Sequence, residues 1–361
     1  MRYLVLLLAL SFSVRADDPP LLGPPLGLQD VFEISSDPNL GGCSADQVRA
    51  LEVAYAECIA MATRIDDAST TIRFGLESPA TGSIFDSLFN IASTQRRQQR
   101  NDPAIIADQT LGLTGITKMM RAIRNHAARA VRFNTPGNPI TDKTRLHCSP
   151  SYLTFQTHIA FPDGTIAPLM SSTWNELGML RSLVTGTVAE LQRAPSQPDA
   201  QFPIDLASCG KVGFAFTSLI DNSITICPLV WGGTFNTNQN SYNFGLGLPT
   251  RVDDVAITDD ISFLDNLRSL SVTLLHELCH LVARSEIDHP TIPGPMIETA
   301  DEAHGFSDIH SVATDPREEG GVDVALAHPD SYALLGAALQ RNEFDWRDGF
   351  ARRPQFWQRR R

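Results

Sequence analysis

The sequence predicts an α+β domain, mainly helical with a small antiparallel sheet. Three observations carry that expectation. Long stretches show apolar residues at three- and four-residue steps, the period of a helix with one buried face. One pair of short alternating runs reads as a β-hairpin. A single apolar helix near the C-terminal third carries two histidines and a glutamate inside its hydrophobic pattern. The 361 residues are 42% hydrophobic and 19% charged, ordinary globular composition for one large domain or two small ones.

In chain order, residues 1–16 read as a secretory signal, with Arg2, an apolar run from Leu4 to Leu10, and Val14-Arg15-Ala16 before a cut. That run is too short to span a bilayer, and no later stretch reaches the ~20 apolar residues a span needs. A secreted protein without a membrane anchor is therefore expected. Residues 17–42 hold Pro19, Pro20, Pro24, Pro25, Pro38 and four glycines, which predicts a linker or short pro-segment outside any core. The main domain is expected over 43–345, followed by a basic tail over 346–361.

Ser44 and Gln47 form an S-x-x-Q capping box at the start of a helix. Val48, Leu51, Tyr55, Cys58, Ala62 and Ile65 mark its buried stripe. Helical patterns continue over Ile84–Thr94 and Asp102–Phe133, and Gly112 and Gly115 weaken the second. Thr135–Pro168 reads as loops with a short strand near Leu153–Phe161, and Thr173–Leu191 reads as helix. The hairpin is expected from Gly213–Leu219 and Ser223–Trp231 about an Asp221-Asn222 turn, then a loop over Gly232–Pro249. A last helix is expected over Asp330–Gln340.

Six cysteines suit an oxidising compartment. Cys43 and Cys58 lie about four helical turns apart, so they cannot bond to each other, and Cys148 is a partner for one of them. Cys209 and Cys227 flank the hairpin and are expected to pair. Cys279, within the apolar helix, is expected as a buried free thiol. The formal net charge of -12 argues against nucleic acid as a partner, since phosphate contacts need a basic surface. It favours basic substrates, or simply solubility.

The chemistry concentrates in Leu274-Leu275-His276-Glu277-Leu278-Cys279-His280-Leu281, an H-E-x-x-H pattern. Residues four apart lie one turn apart on one helix face, so His276 and His280 can hold one Zn²⁺ ion together. Glu277 beside them suits a general base that takes a proton from a water activated by the metal and passes it to a leaving amine. A catalytic zinc site commonly has three protein ligands. The continuation H-x-x-G-x-x-H fails, with Ala283 and Glu286 at its key positions. Glu298, Asp301 and Glu302 are in range downstream, and the spacing alone leaves all three open.

Further blocks carry a resemblance. Glu298-Thr299-Ala300-Asp301-Glu302-Ala303-His304-Gly305 resembles the G-T-x-D-x-x-Y-G motif of the deuterolysin and lysine-specific metalloendopeptidase family, the aspzincins. Thr299, Asp301 and Gly305 match in register; Glu298 replaces a glycine and His304 a tyrosine. Gly42-Cys43-Ser44, Arg73-Phe74-Gly75, Ile224-Thr225-Ile226-Cys227-Pro228 and Asp330-Ser331-Tyr332-Ala333-Leu334 are similar to other segments of that family. The resemblance spans about Gly42 to Leu339, with extra sequence at roughly 104–203.

The resemblance implies a zincin-like fold and a secreted zinc metalloendopeptidase. Asp301 would be the third ligand, and His304 would donate a hydrogen bond to the oxyanion in the tyrosine's place. Asp330 would line the pocket for the residue after the scissile bond and favour Lys or Arg there. As an alternative, Asp330 caps the final helix. Asp308 could orient a ligand histidine. A polypeptide substrate, extended along the sheet edge, is the implied partner. The competing expectation is a non-catalytic zinc-holding or partner-binding module on a decayed protease fold, motivated by Glu298 and His304. The intact Glu277 counts against it. The sequence leaves the oligomeric state open.

Overall fold

The computed structural model describes residues 21, 23–91, 103–129, 143–150, 154–155, 158–160, 166–168, 189–190, 214–218, 222–232, 234–236, 241–243, 245–283, 305–314 and 321–353. The expected signal segment, the 130–142 stretch and the tail beyond 353 lie outside them. No helix among the described residues is long and apolar enough to cross a membrane.

The longest helix after the N-terminal turn α1 (Leu28–Val31) is α2 (Ala45–Phe74). Its start is the expected capping box: Ser44 Oγ accepts from the Gln47 backbone N–H, and Gln47 Oε1 accepts from the Ser44 N–H. Gly75, at φ 71°, ends it by taking the left-handed conformation that costs a glycine little. Leu51, Tyr55, Cys58, Ala62 and Ile65 are all buried, so the predicted stripe is the face this helix turns inward.

Helix α3 (Pro79–Phe89) and helix α4 (Pro103–Arg129) follow. Gly112 does not break α4. A Cβ there would lie 2.6 Å from Val322 Cγ1, so the glycine lets a later helix approach closely. Asp66 of α2 is buried and accepts from Arg121 Nε and Arg124 Nη1 of α4, each 3.2 Å from Oδ2. One buried carboxylate shared by two guanidinium groups fixes the register of the two long helices. Burial still raises its pKa, more than the two arginines lower it.

The main sheet holds β1 (Phe32–Glu33), β2 (Thr144–His147), β3 (Ala215–Ser218) and β4 (Ser223–Ile226), in the order β1-β2-β4-β3. It is mixed, which corrects the expectation of an antiparallel sheet. β1 pairs with β2 and β2 with β4 in parallel; only the β3–β4 hairpin is antiparallel. The reason is connectivity. β1 and β2 are separated by α2, α3 and α4, and a crossover of that kind returns the chain in the same direction. The predicted hairpin is present, with Asn222 at φ 49° in its turn, but its second strand ends at Ile226: Pro228–Trp231, expected as strand, is a short helix with Pro228 in its first turn.

Three other expectations change. Part of the 17–42 stretch belongs to the core: Leu28, Val31 and Phe32 are at most 2% exposed. Their apolar triplet outweighs the surrounding Pro and Gly. β2 falls in a stretch read as loop, and small ladders pair Thr234–Asn236 with Ser241–Asn243 and His158–Ala160 with Ile166–Pro168. Ala189–Glu190, inside the expected 173–191 helix, forms a short parallel ladder with Thr154–Phe155.

The C-terminal part is helical: α5 (Leu270–Ala283), α6 (Gly305–Thr314), α7 (Val322–Ala327) and α8 (Pro329–Gln340). Beyond α8 the chain still packs, with Phe344, Trp346 and Ala351 buried, so the core runs past the expected boundary at 345. Arg352 pairs with Asp348 and Asp260, and Arg353 with Asp259. These exposed pairs position residues 352 and 353 more than they stabilise the fold.

Candidate metal centre

Helix α5 is held at its start and along its buried face. At its start Ser269 Oγ accepts from the Val272 N–H at 3.3 Å. The buried Glu57 of α2 accepts through Oε2 from the Val252 N–H at 2.8 Å and from the Ser271 hydroxyl. Along its length Leu270, Leu274, Leu275, Leu278, Leu281 and Val282 are buried. Helix α8 lies close against it. A Cβ on Gly336 would stand 2.8 Å from Leu275 Cδ2 and 3.2 Å from Met61 Cβ, so that glycine sets the approach of α8 to α5 and α2.

That close approach positions Asp330, in the first turn of α8. Its Oδ1 lies 2.7 Å from His276 Nδ1. Its Oδ2 accepts from the Gly305 N–H, the first residue of α6, at 3.2 Å. With Nδ1 facing a carboxylate, the imidazole keeps its proton there and presents Nε2 as a lone pair. Nε2 of His276 stands 3.1 Å from Nε2 of His280. Two imidazole nitrogens converging this closely, one of them backed by a carboxylate, form a donor set that fits one cation with bonds of ~2.0–2.1 Å. The fit is chemical as well as geometric, because neutral imidazole at this spacing suits zinc.

Glu277 is 4% exposed and turns toward the sheet. Thr217 of β3 lies with Oγ1 2.6 Å from Glu277 Oε2 and 3.1 Å from the Glu277 carbonyl oxygen. A hydroxyl has one proton, and the nearer carboxylate oxygen is the stronger acceptor. The general-base candidate is thereby tied to the edge strand of the main sheet.

Cys279 faces the core, fully buried, and is a free thiol as expected; burial pushes its pKa well up. A buried neutral thiol is neither a ligand nor a nucleophile. Cys58 of α2 is likewise free and buried. Cys43 bonds Cys148. Cys227 is disulfide-bonded, and its expected partner Cys209 lies outside the described residues.

Asp301, His304, Glu298 and Glu302 also lie outside the described residues. Among the described residues no group of three His, Cys, Asp or Glu side chains gathers to hold a metal. What is described begins one residue after His304. Gly305 has φ 81°, and a Cβ there would come within 2.8 Å of Asp265 Oδ2. Asp265 Oδ1 accepts from the Phe306 N–H at 2.7 Å. Two carboxylates, Asp330 and Asp265, thus receive the first N–H groups of α6, where the helix dipole favours negative charge. Burial raises the Asp265 carboxyl above its ordinary value.

Of the sequence-predicted site residues, His276, Glu277, His280 and Asp330 come together. Asp330 takes the place on a histidine proposed for Asp308, which is exposed on α6. It is not the cap of its own helix, where His328 occupies the cap position. Its hydrogen bonds orient His276, and a substrate-selecting role does not follow from them. Sequence patterns do not point to Thr217 or Asp265. Nothing local marks either, since each acts on a residue at least 41 positions away. No protein-family model matches this chain, and no curated protein matches it significantly.

Proposed function

We propose that the protein is a secreted zinc-dependent metalloendopeptidase on a zincin-like fold. The carrying observation is the convergence of His276 Nε2 and His280 Nε2 at 3.1 Å, with Asp330 behind one ring. In this reading His276 and His280 hold one Zn²⁺, with Asp301 as third ligand. When bound, zinc supplies Lewis acidity toward the scissile carbonyl and lowers the pKa of water. Glu277 accepts the proton of the attacking water and returns it to the departing amine. His304 donates a hydrogen bond to the developing oxyanion. Asp330 holds His276 in one tautomer and one orientation. An extended peptide adds to the outer side of β3, the antiparallel edge strand. A preference for Lys or Arg after the cut is retained from the resemblance and the -12 charge. Secretion agrees with the Cys43–Cys148 bond.

The direct test is digestion of a mixed peptide library by the purified protein, with and without a zinc chelator, every cut read by mass spectrometry. Chelator-sensitive cuts are expected, enriched in Lys or Arg on the C-terminal side. A protein that holds one zinc and makes no cuts would instead be the binding module.

Asp330→Asn offers a second check. The amide still accepts from His276, but loses the charge that strengthens the ring as a donor, and one of its ends faces the Gly305 N–H wrongly. Zinc affinity, measured by competition with a chromophoric chelator, should fall about 10–100-fold. Unchanged affinity would mean that Asp330 serves the fold alone.

A further inference from the structure

Glu277 is held by a residue of the strand that would receive substrate. Register decides which way that residue faces. The Cys227 N–H donates to the Phe214 carbonyl at 2.8 Å, so Phe214 turns its backbone groups toward β4. In an antiparallel ladder the direction alternates. Phe216, opposite Thr225, and Ser218, opposite Ser223, therefore also bond inward. Ala215 and Thr217 turn their N–H and C=O groups to the outer side. Among the described residues no strand pairs with that side. Thr217 thus has its backbone on the outer edge and its hydroxyl 2.6 Å from Glu277 Oε2.

We propose that Thr217 is a positioning residue for Glu277, coupling the outer edge of β3 to the general base. The proposal rests on the metallopeptidase reading above. One carboxylate oxygen is held by the Thr217 hydroxyl, which fixes the side-chain rotamer. A chain pairing with Thr217 sets the distance from its own scissile bond to that carboxylate, because both are referred to the same residue. A fixed rotamer matters for a side chain as long as glutamate, because alignment with the reacting atoms sets the rate.

The test compares Thr217→Val, Thr217→Ser and wild type on one peptide substrate, with zinc content measured in each. Valine keeps the shape and β-branching and removes the hydroxyl. We expect kcat to fall about tenfold in Thr217→Val with KM within about twofold and zinc unchanged, the scale of one charge-assisted hydrogen bond. Thr217→Ser should restore kcat to within about threefold of wild type. An active wild type with kcat unchanged in Thr217→Val overturns the assignment alone. So does a serine variant no better than valine, which would make the residue a packing group. An inactive wild type overturns the peptidase reading and the assignment with it. A readout independent of turnover is the unfolding midpoint of Thr217→Val, Glu277→Ala and the double variant, since alanine, unlike glutamine, leaves no acceptor for the Thr217 hydroxyl. Shared, non-additive losses support the contact, and strictly additive ones overturn it.

Discussion

Glu277→Gln is expected to abolish peptide hydrolysis while leaving zinc in place. The exchange is nearly isosteric, and a glutamine can still accept the Thr217 hydroxyl through its amide oxygen. The buried site at 4% exposure should therefore fold as before. What the amide cannot do is take a proton at neutral pH. General-base assistance contributes about 10²–10⁴-fold, so turnover should fall by about 10³-fold or more. His276 and His280 keep their Nε2 atoms facing each other, and Asp330 keeps its hold on His276 Nδ1. Metal content, read by mass spectrometry of the purified variant, should stay at one zinc per chain. Turnover and metal content together separate the roles. Lost zinc would make Glu277 part of the ligand framework. Retained proteolysis would reject it as the base.

Much of the site's local framework is legible in the sequence. Ser44 and Gln47 announce α2 because a capping box acts within three residues, and the H-E-x-x-H spacing announces a helix face because four residues make about one turn. What stayed hidden is the long-range part. His276 meets Asp330 at a separation of 54 residues, and Glu277 meets Thr217 at 60. No periodicity encodes which side chains meet when α8 is laid on α5 or β3 beside it. The resemblance drew attention to Asp330 but not to its contact with His276, since a motif names a position and not its hydrogen bonds. The sheet's direction was misjudged for a related cause. The hairpin is a local event and was seen; the pairing of β1 with β2 depends on how three helices cross over. β2 itself, Thr144-Arg145-Leu146-His147, offers one strongly apolar residue and lies near a Pro- and Gly-containing stretch, so its strand character comes from its neighbours.

The second large effect concerns stability. Replacing Cys43 and Cys148 together by alanine should cost about 4–5 kcal/mol, the chain-entropy value for a bond closing 105 residues. That is a large share of the roughly 5–15 kcal/mol typical of a domain. The bond is also well placed to matter in the native state. Cys43 precedes the Ser44 cap of α2, and Cys148 follows β2. The Cys43 N–H donates to Ser35 O, the Cys148 N–H to Gly41 O, and Trp231 Nε1–H to Cys148 O, all within 2.9 Å. Both cysteines are at most 4% exposed. The thermal midpoint should drop by about 10 °C or more. Alkylation of the unreduced, denatured protein should label Cys58 and Cys279 and leave Cys43 and Cys148 untouched; label at Cys43 would remove the premise. Since α2 also carries Glu57, the anchor for the start of α5, loosening its first turn should reach the histidines. Zinc release on denaturation is then expected at lower denaturant in the Cys43→Ala/Cys148→Ala variant than in wild type. Release at an unchanged midpoint would show that α5 is held by α8 and the sheet without help from α2.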